Sequence, residues 1–459
     1  MVLETSPPRE LDQRLDELVA TEEQIFLERQ PGSGLMYERA GEVLAGGVTS
    51  SWQITRPQPV FLARGRGQTI VDLDGNEYID LHGGYGAGLA GHAHPAVVEA
   101  VTRQVAAGTH FAQPTTDAVV VAENLRDRFG LPLWRFTNSG TEATMDAVHL
   151  MRAVTGRDLI VKIEGCYHGH HDSVQVSVMP EADEVGPARR PSSVPASSGI
   201  PRAITDLTLV APYNDLESLE AIFAEHEGSL AGMILEPIMM NAGIVPPMAG
   251  YLEALVELVH RHGALVAFDE VKTGLAAGPG GATALYGVRP DVICLAKAIG
   301  GGLIAGAVGG SEEVMGHVAN GDYEMVGTFN GNPLSMAAAR AMLEHVATPE
   351  AYEAIGKLRE KVAASLTASI ERHGLVAHVV SVGAKGCVTF SSRPVRNYRD
   401  FLQVDDRLNH LHWLFQHNGG VFLPPWGKTE QWLISVQHDD AGIEKFTDNF
   451  ERFAAAVAG

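Results

Sequence analysis

Short, continuously apolar runs separated by longer amphipathic stretches dominate the middle of the chain. Leu159-Ile-Val-Lys-Ile163, Leu207-Thr-Leu-Val-Ala211, Ala231-Gly-Met-Ile-Leu235, Gly263-Ala-Leu-Val-Ala-Phe268 and Val292-Ile-Cys-Leu295 do not alternate. Runs of that kind, bounded by glycine and polar residues, predict strands buried on both faces, and the helical stretches between them predict a mainly parallel sheet. The strand-helix units run to about residue 310. Earlier, Phe61-Leu-Ala-Arg-Gly65 and the stretch from Thr69 to Leu81 do alternate, and Asp74-Gly75 within them predicts a hairpin. Residues 10–30 place Leu11, Leu15, Leu18, Val19, Ile25 and Phe26 among acids at a helical period. A long helical stretch follows Pro333, and beyond about residue 360 helix mixes with short strands at Gly386-Cys-Val-Thr-Phe390 and Trp432-Leu-Ile-Ser-Val436. The expected fold class is α/β, a large domain with a mainly parallel sheet flanked by helices plus a smaller α+β domain from both chain ends. Its expected division is an N-terminal segment 1–75 contributing to the small domain, a large domain 76–345 and a C-terminal small domain 346–459.

Composition narrows the partners. The 459 residues are 45% hydrophobic and 20% charged, as in an ordinary globular enzyme. A net charge of -22 argues against nucleic acid or an anionic membrane as partner. Three cysteines, Cys166, Cys294 and Cys387, lack metal spacing and suit a reduced cytoplasmic protein. The acidic, proline-bearing start does not read as a signal peptide, and no apolar run reaches the length of a membrane span.

Chemistry enters where the apolar runs end. Asp269 closes one buried strand and Lys297 lies just past another, at the edge where open α/β sheets bind ligands. A lysine and a carboxylate facing one crevice suit pyridoxal phosphate. The amine forms a Schiff base with the cofactor aldehyde, and the acid holds the pyridine nitrogen protonated. Taken singly, Asp269 also reads as a helix cap and Lys297 as a surface charge. Ser139-Gly140-Thr141, between a strand and a helix, offers free amides for a phosphate, or a plain N-cap. His168, His170, His171 and Asp172 lack zinc spacing, so no metal is expected, and Tyr167 is placed to stack on a flat ring. Gly86-Ala-Gly-Leu-Ala-Gly91 matches a dinucleotide fingerprint in the wrong context and reads as a loop before a helix starting at Pro95. The Pro/Ser-rich stretch 179–201 is expected to be a lid.

With these residues in hand, a family resemblance emerges. Ser139-Gly-Thr-Glu-Ala143, Glu164-Gly-Cys-Tyr-His-Gly-His170, Glu236-Pro237, Asp269-Glu-Val271, Lys297-Ala-Ile-Gly-Gly-Gly302 and Gly327-Thr-Phe-Asn-Gly-Asn-Pro333 stand in order. From about residue 35 to the carboxyl end the chain resembles the class III aminotransferases of pyridoxal-phosphate fold type I, and within them the glutamate-1-semialdehyde aminomutase branch. The resemblance implies that Lys297 is the Schiff-base lysine and moves the proton between substrate and cofactor, with Asp269 on the pyridinium nitrogen. It implies Val271 and Tyr167 on the two ring faces, Asn241 on the ring hydroxyl, and Ser139, Gly140 and Thr141 on the phosphate. Thr328 would complete that phosphate site from the neighbouring subunit, which implies a homodimer with shared active sites. His168 and Glu236 belong to the same cofactor set, Glu236 as a supporting residue.

The departures from the family bear on substrate. The aminomutase pattern has an arginine in the loop that here reads Thr49-Ser-Ser-Trp-Gln-Ile54, and no arginine follows until Arg56. Where β-amino-acid aminotransferases carry a late arginine, this chain has Pro424-Pro-Trp426. A substrate carboxylate without a fixed cation would be buried at a cost of several kcal/mol. Trp52, Tyr85 and Trp426 instead suit an apolar pocket, although all three also fit core or interface positions. The expected activity is aminotransfer between an amine (or amino acid) donor and a keto acceptor, with a hydrophobic amine preferred and Arg393 or Arg396 as candidate for the acceptor carboxylate. The alternatives are a glutamate-1-semialdehyde-type 2,1-aminomutase, a β-amino-acid aminotransferase, and, from another class, an idle binding protein; the joint presence of Lys297 and Asp269 counts against the last.

Overall fold

A computed structural model describes residues 8–425 and 431–459. The chain divides into two compact units, one from the described residues within 1–94, 353–394 and 403–459, the other from 95–352 and 395–402.

In the smaller unit, β1 (Leu62–Arg66), β2 (Thr69–Asp72) and β3 (Glu77–Asp80) form an antiparallel meander. The hairpin expected at Asp74-Gly75 is present. Asp72 Oδ1 accepts the amides of Asp74 and Asn76 at 3.0 and 2.8 Å, which closes the turn.

The larger unit is built on seven strands: β4 (Leu133–Thr137), β5 (Leu159–Ile163), β6 (Thr208–Ala211), β7 (Leu230–Leu235), β8 (Leu265–Asp269), β9 (Val292–Leu295) and β10 (Gly306–Gly310). Their order is β4-β10-β9-β8-β7-β5-β6, and only β10 opposes the rest. The sheet is mainly parallel because its strands are apolar on both faces and must be covered twice. Helix Gly140–Thr155 supplies part of that cover through Ala143, Ala147, Leu150 and Met151, which pack with Ile234, Ala267, Cys294 and Val308. The spacing of those four residues, close to one helical turn, is what turns a single face to the sheet.

The remaining strands return to the smaller unit. β11 (His378–Val382), β12 (Lys385–Thr389) and β14 (Gln431–Leu433) form a three-stranded antiparallel sheet, and β13 (Val421–Phe422) pairs in parallel with β3. The expected N-terminal helix spans Pro8–Arg29. Gly86 to Gly91 forms short turns before helix Pro95–Ala107, with no preceding βαβ unit. The stretch 179–201 is irregular but tied down: Arg189 pairs with Glu217, Arg190 with Glu225, and Ser193 Oγ donates to Thr208 O at 2.6 Å. No described helix is long and apolar enough to cross a membrane.

Helix Asp406–Asn418 buries two histidines in this smaller unit. His412 sits among Phe390, Phe446, Phe450 and Phe453, and His417 among Phe26, Tyr78, Trp413 and Phe422. Burial pushes each imidazole down to about 3. Both are neutral in folded and unfolded chains above pH ~6.5, whereas below it the unfolded chain takes up protons that the folded chain refuses. Stability is therefore expected to fall as pH drops from 6.5 towards 3, by ~1.4 kcal/mol per pH unit for each histidine. Urea unfolding at pH 7 and 5.5 checks this. His412→Phe should show a shallower loss, and an identical slope in wild type and variant would contradict it.

Candidate active site

The parallel strands deliver their carboxyl ends to one edge, and β4, β5, β7, β8 and β9 each lead into a piece of the site. β8 ends in Asp269, whose carboxylate is 5% exposed. An isolated buried charge is costly, so it must find donors. Oδ2 receives His168 Nδ1 at 2.8 Å, and Oδ1 receives the Val271 amide at 3.0 Å. Donation from Nδ1 selects the imidazole tautomer. The neighbouring Glu270 points to the other side of the strand, as pleating requires, and its carboxylate accepts Thr273 Oγ1 and the amides of Ala282 and Thr283, all at 2.7 Å. Glu270 is thus a structural anchor, although it stands beside Asp269 in sequence.

Lys297 follows β9 by two positions and opens a short turn Lys297–Gly300. Its φ of 51° is left-handed, a conformation that costs a non-glycine residue ~1–3 kcal/mol and is kept where the surroundings impose it. Burial pushes its amine below the ordinary lysine value, against the opposing pull of Asp269 and Glu236. A lowered value leaves more neutral amine at physiological pH, and the neutral amine is the nucleophile.

The loop after β5 carries Tyr167 and His168. Glu236, just beyond β7, accepts the Tyr167 amide at 3.1 Å, Asn241 Nδ2 at 2.8 Å and the Met240 amide at 2.7 Å. It therefore supports two residues of the expected cofactor set. After β4, Ser139 caps helix Gly140–Thr155 by accepting the Glu142 amide at 3.1 Å. The amides of Gly140 and Thr141 lie in the first turn, where a helix has no carbonyl of its own to offer them and an anion is favoured. A Cβ at Gly140 would lie 2.9 Å from both methyls of Val271, so only glycine permits this approach. Thr141 Oγ1 accepts the His170 amide at 3.0 Å.

Ser139, Gly140, Thr141, Tyr167, His168, Glu236, Asn241, Asp269, Val271 and Lys297 all belong to the larger unit. Thr328 belongs to it too, exposed on the loop before Pro333. Trp52 and Tyr85 belong to the smaller unit, where Tyr85 Oη donates to Trp52 O at 2.8 Å and the rings lie 5.7 Å apart. They line a cavity of about 540 Å³ with Phe61, Trp413 and Phe422, and no lysine or arginine is on its described wall. Trp426 lies outside the described residues. Arg396 turns to Asp400 at 3.4 Å. The histidines after Tyr167 face different partners, His168 on Asp269 and His170 Nδ1 on Gln175 Nε2 at 2.9 Å. Among the described residues no group of three or more such side chains could hold a metal.

Three contributors have no counterpart in the sequence reading. Thr144 hydrogen-bonds through its hydroxyl to His168 O and to Gly140 O. Lys162 is fully buried and donates to Cys166 O at 2.8 Å and Val176 O at 2.5 Å. Arg399 pairs with Glu164. A lysine inside an apolar strand was a visible signal for the second; the others carry none.

A strained, partly buried lysine, a buried carboxylate with one imidazole behind it, and a helix start crowded against Val271 fit pyridoxal phosphate. They define the fold type I class of enzymes that use it. Residues 52–450 match the family described as aminotransferase class-III. A glutamate-1-semialdehyde 2,1-aminomutase 2 from Brevibacillus brevis is 38% identical over 415 residues, 89% of this chain and 95% of that protein. The crystal structure of an omega-transaminase from Sphaerobacter thermophilus is similar at TM-score 0.88 and 34% identity, covering 94% of this chain and all of that one (100%). A beta-phenylalanine aminotransferase from Variovorax paradoxus gives TM-score 0.86 and 31% identity, covering 96% of this chain and 98% of that one. The chain belongs to the class III aminotransferase family, and its cofactor is pyridoxal 5'-phosphate.

Lys297→Ala is expected to lower turnover by at least about 10²–10⁴-fold, the range for a lost proton-transfer group. Cofactor uptake, followed by equilibrium dialysis, should persist, since the helix start and Asp269 remain. Unchanged turnover would remove Lys297 from the chemistry.

Proposed function

We propose that the enzyme moves an amino group from a hydrophobic amine to a keto acceptor in a ping-pong cycle. The cofactor supplies the electron-accepting ring. Lys297 would hold it covalently and carry the proton, and Asp269, oriented by His168, would keep the ring nitrogen protonated. Val271 and Tyr167 would bracket the ring, Asn241, with Glu236 behind it, would meet its hydroxyl, and Ser139, Gly140 and Thr141 would hold the phosphate.

One observation carries the substrate reading: the cavity lined by Trp52 and Tyr85 has aromatic walls and no described lysine or arginine. Among its described lining residues the one carboxylate, Asp80, is already engaged by His92 Nε2 at 2.6 Å and by the amides of His82 and Gly83 at 3.0 Å. Such a wall favours an apolar substituent and disfavours a carboxylate. The aminomutase reading stands second, because the relative from Brevibacillus brevis bears that name at 38% identity. An aminomutase would need no separate acceptor.

We also infer a homodimer in which Thr328 of the partner subunit completes each phosphate site. Thr328 is exposed, and Val326 and Phe329 beside it are 81% and 57% exposed, an apolar flank that a second copy would cover. A cytoplasmic location agrees with three buried cysteines in no disulfide.

The test mixes the holoenzyme with 1-phenylethylamine, β-phenylalanine, alanine or a diamino acid, without acceptor, and follows the visible cofactor band. Bleaching by the plain amine is expected. Bleaching by carboxylate-bearing donors alone would overturn the substrate reading and favour the aminomutase or β-amino-acid alternatives.

A further inference from the structure

We propose that Arg399, with Tyr398, is a positioning residue that holds the Tyr167 loop at its working height. The inference rests on the proposed role of Tyr167 against the cofactor ring and adds the device that fixes it.

The loop Glu164-Gly-Cys-Tyr-His168 leaves β5 without regular structure; the amides of Glu164 and Gly165 bond to Ala211 O and Ser177 O, each at 3.0 Å, and side-chain anchors fix the rest. From the strand side, Lys162 holds the Cys166 carbonyl and Glu236 the Tyr167 amide. From the other side come two residues of the short segment 395–402, which packs with the larger unit although the chain on either side of it belongs to the smaller one. Arg399 Nε and Nη2 donate to the two oxygens of Glu164 at 2.7 and 2.8 Å. The same guanidinium reaches Val185 O at 2.7 Å and Gly186 O at 2.9 Å. Its planar fork makes four contacts that a lysine cannot reproduce.

Burial makes this pair decisive. The Glu164 side chain is 2% exposed, and burial pushes its carboxyl up against the lowering pull of Arg399. Glu164 stands three residues before Tyr167, and its ion-pair partner comes from 235 positions away, with Lys162 adding a further favourable charge. Tyr398 adds shape. A Cβ at Gly165, whose φ is +80°, would lie 2.3 Å from the Tyr398 ring, and Tyr398 Oη donates to Pro180 O at 2.7 Å. The loop is thus wedged between the ring of Tyr398 and the strand, with the ion pair setting its register.

Two effects of removing Arg399 must be separated: an unpaired buried carboxylate, and a loosened loop. Arg399→Met suffers both, whereas Glu164→Gln/Arg399→Met removes the charge problem and keeps the second. The readouts, on holoenzyme, are the visible circular dichroism of the bound cofactor, which reports ring orientation, kcat and KM for the amine that bleaches best, and the melting temperature. Tyr167→Ala supplies the reference spectrum. The double variant is expected to melt close to wild type, yet to shift the dichroism towards that of Tyr167→Ala and to lose about 10²-fold in kcat with KM little changed, as for a misplaced positioning group. A double variant with wild-type dichroism and kcat would overturn the proposal, leaving Arg399 a mere counter-charge. If Tyr167→Ala itself left the dichroism unchanged, the reading of Tyr167 would fall, and the proposal with it; the two failures are distinct.

Discussion

A carboxylate taken out of water at the end of a central strand is the constraint on which the rest of the site depends. Asp269 has two donors, an imidazole and an amide, and each fixes something else. The imidazole binds the Tyr167 loop to β8. The amide sets the turn that places Val271 against Gly140, and so the helix start against the same space. The charge also opposes the tendency of burial to discharge Lys297. The proposed nucleophile, ring partner and anion site are therefore coupled through one buried carboxylate rather than assembled independently.

Buried polar groups are unusually dense around this edge. Lys162, Glu164, Glu236, Asp269 and Glu270 are all nearly inaccessible. An apolar core would tolerate none of them alone, since each unpaired group would cost several kcal/mol. Each has partners instead, and those partners lie on different strands and loops. The consequence is a rigid floor for catalysis, in which even a left-handed lysine persists. Pleating divides the labour between adjacent acids, Asp269 serving the site and Glu270 the start of helix Gly281–Tyr286.

Much of this was legible in the sequence. Strands buried on both faces are continuous apolar runs, and β5 to β9 announce themselves that way; residues just past their ends, such as Asp269 and Lys297, follow from topology. The Gly306-Ala-Val-Gly-Gly310 strand is glycine-rich and brief, and its insertion antiparallel between β4 and β9 has no periodic signal. The His168 contact to Asp269 joins residues 101 positions apart, and the Glu164 contact to Arg399 joins residues 235 apart. Sequence spacing reports neighbours within a helix or strand and is silent on such pairs. The second acid of Asp269-Glu270 showed its structural role only once its donors were seen.

Lys162 makes the assignment of the covalent lysine testable in a sharp form. It is buried in the same unit as Lys297, and burial lowers its amine to about 8, so basicity alone does not exclude it. Geometry does: its amine donates to the carbonyls of Cys166 and Val176. Borohydride reduction of the holoenzyme fixes a lysine–pyridoxal linkage as a stable secondary amine, and peptide mass mapping then locates it. The result expected is a single pyridoxyl mass on the peptide containing Lys297. The label on Lys162 or any other lysine, or no label at all, would contradict the site described here.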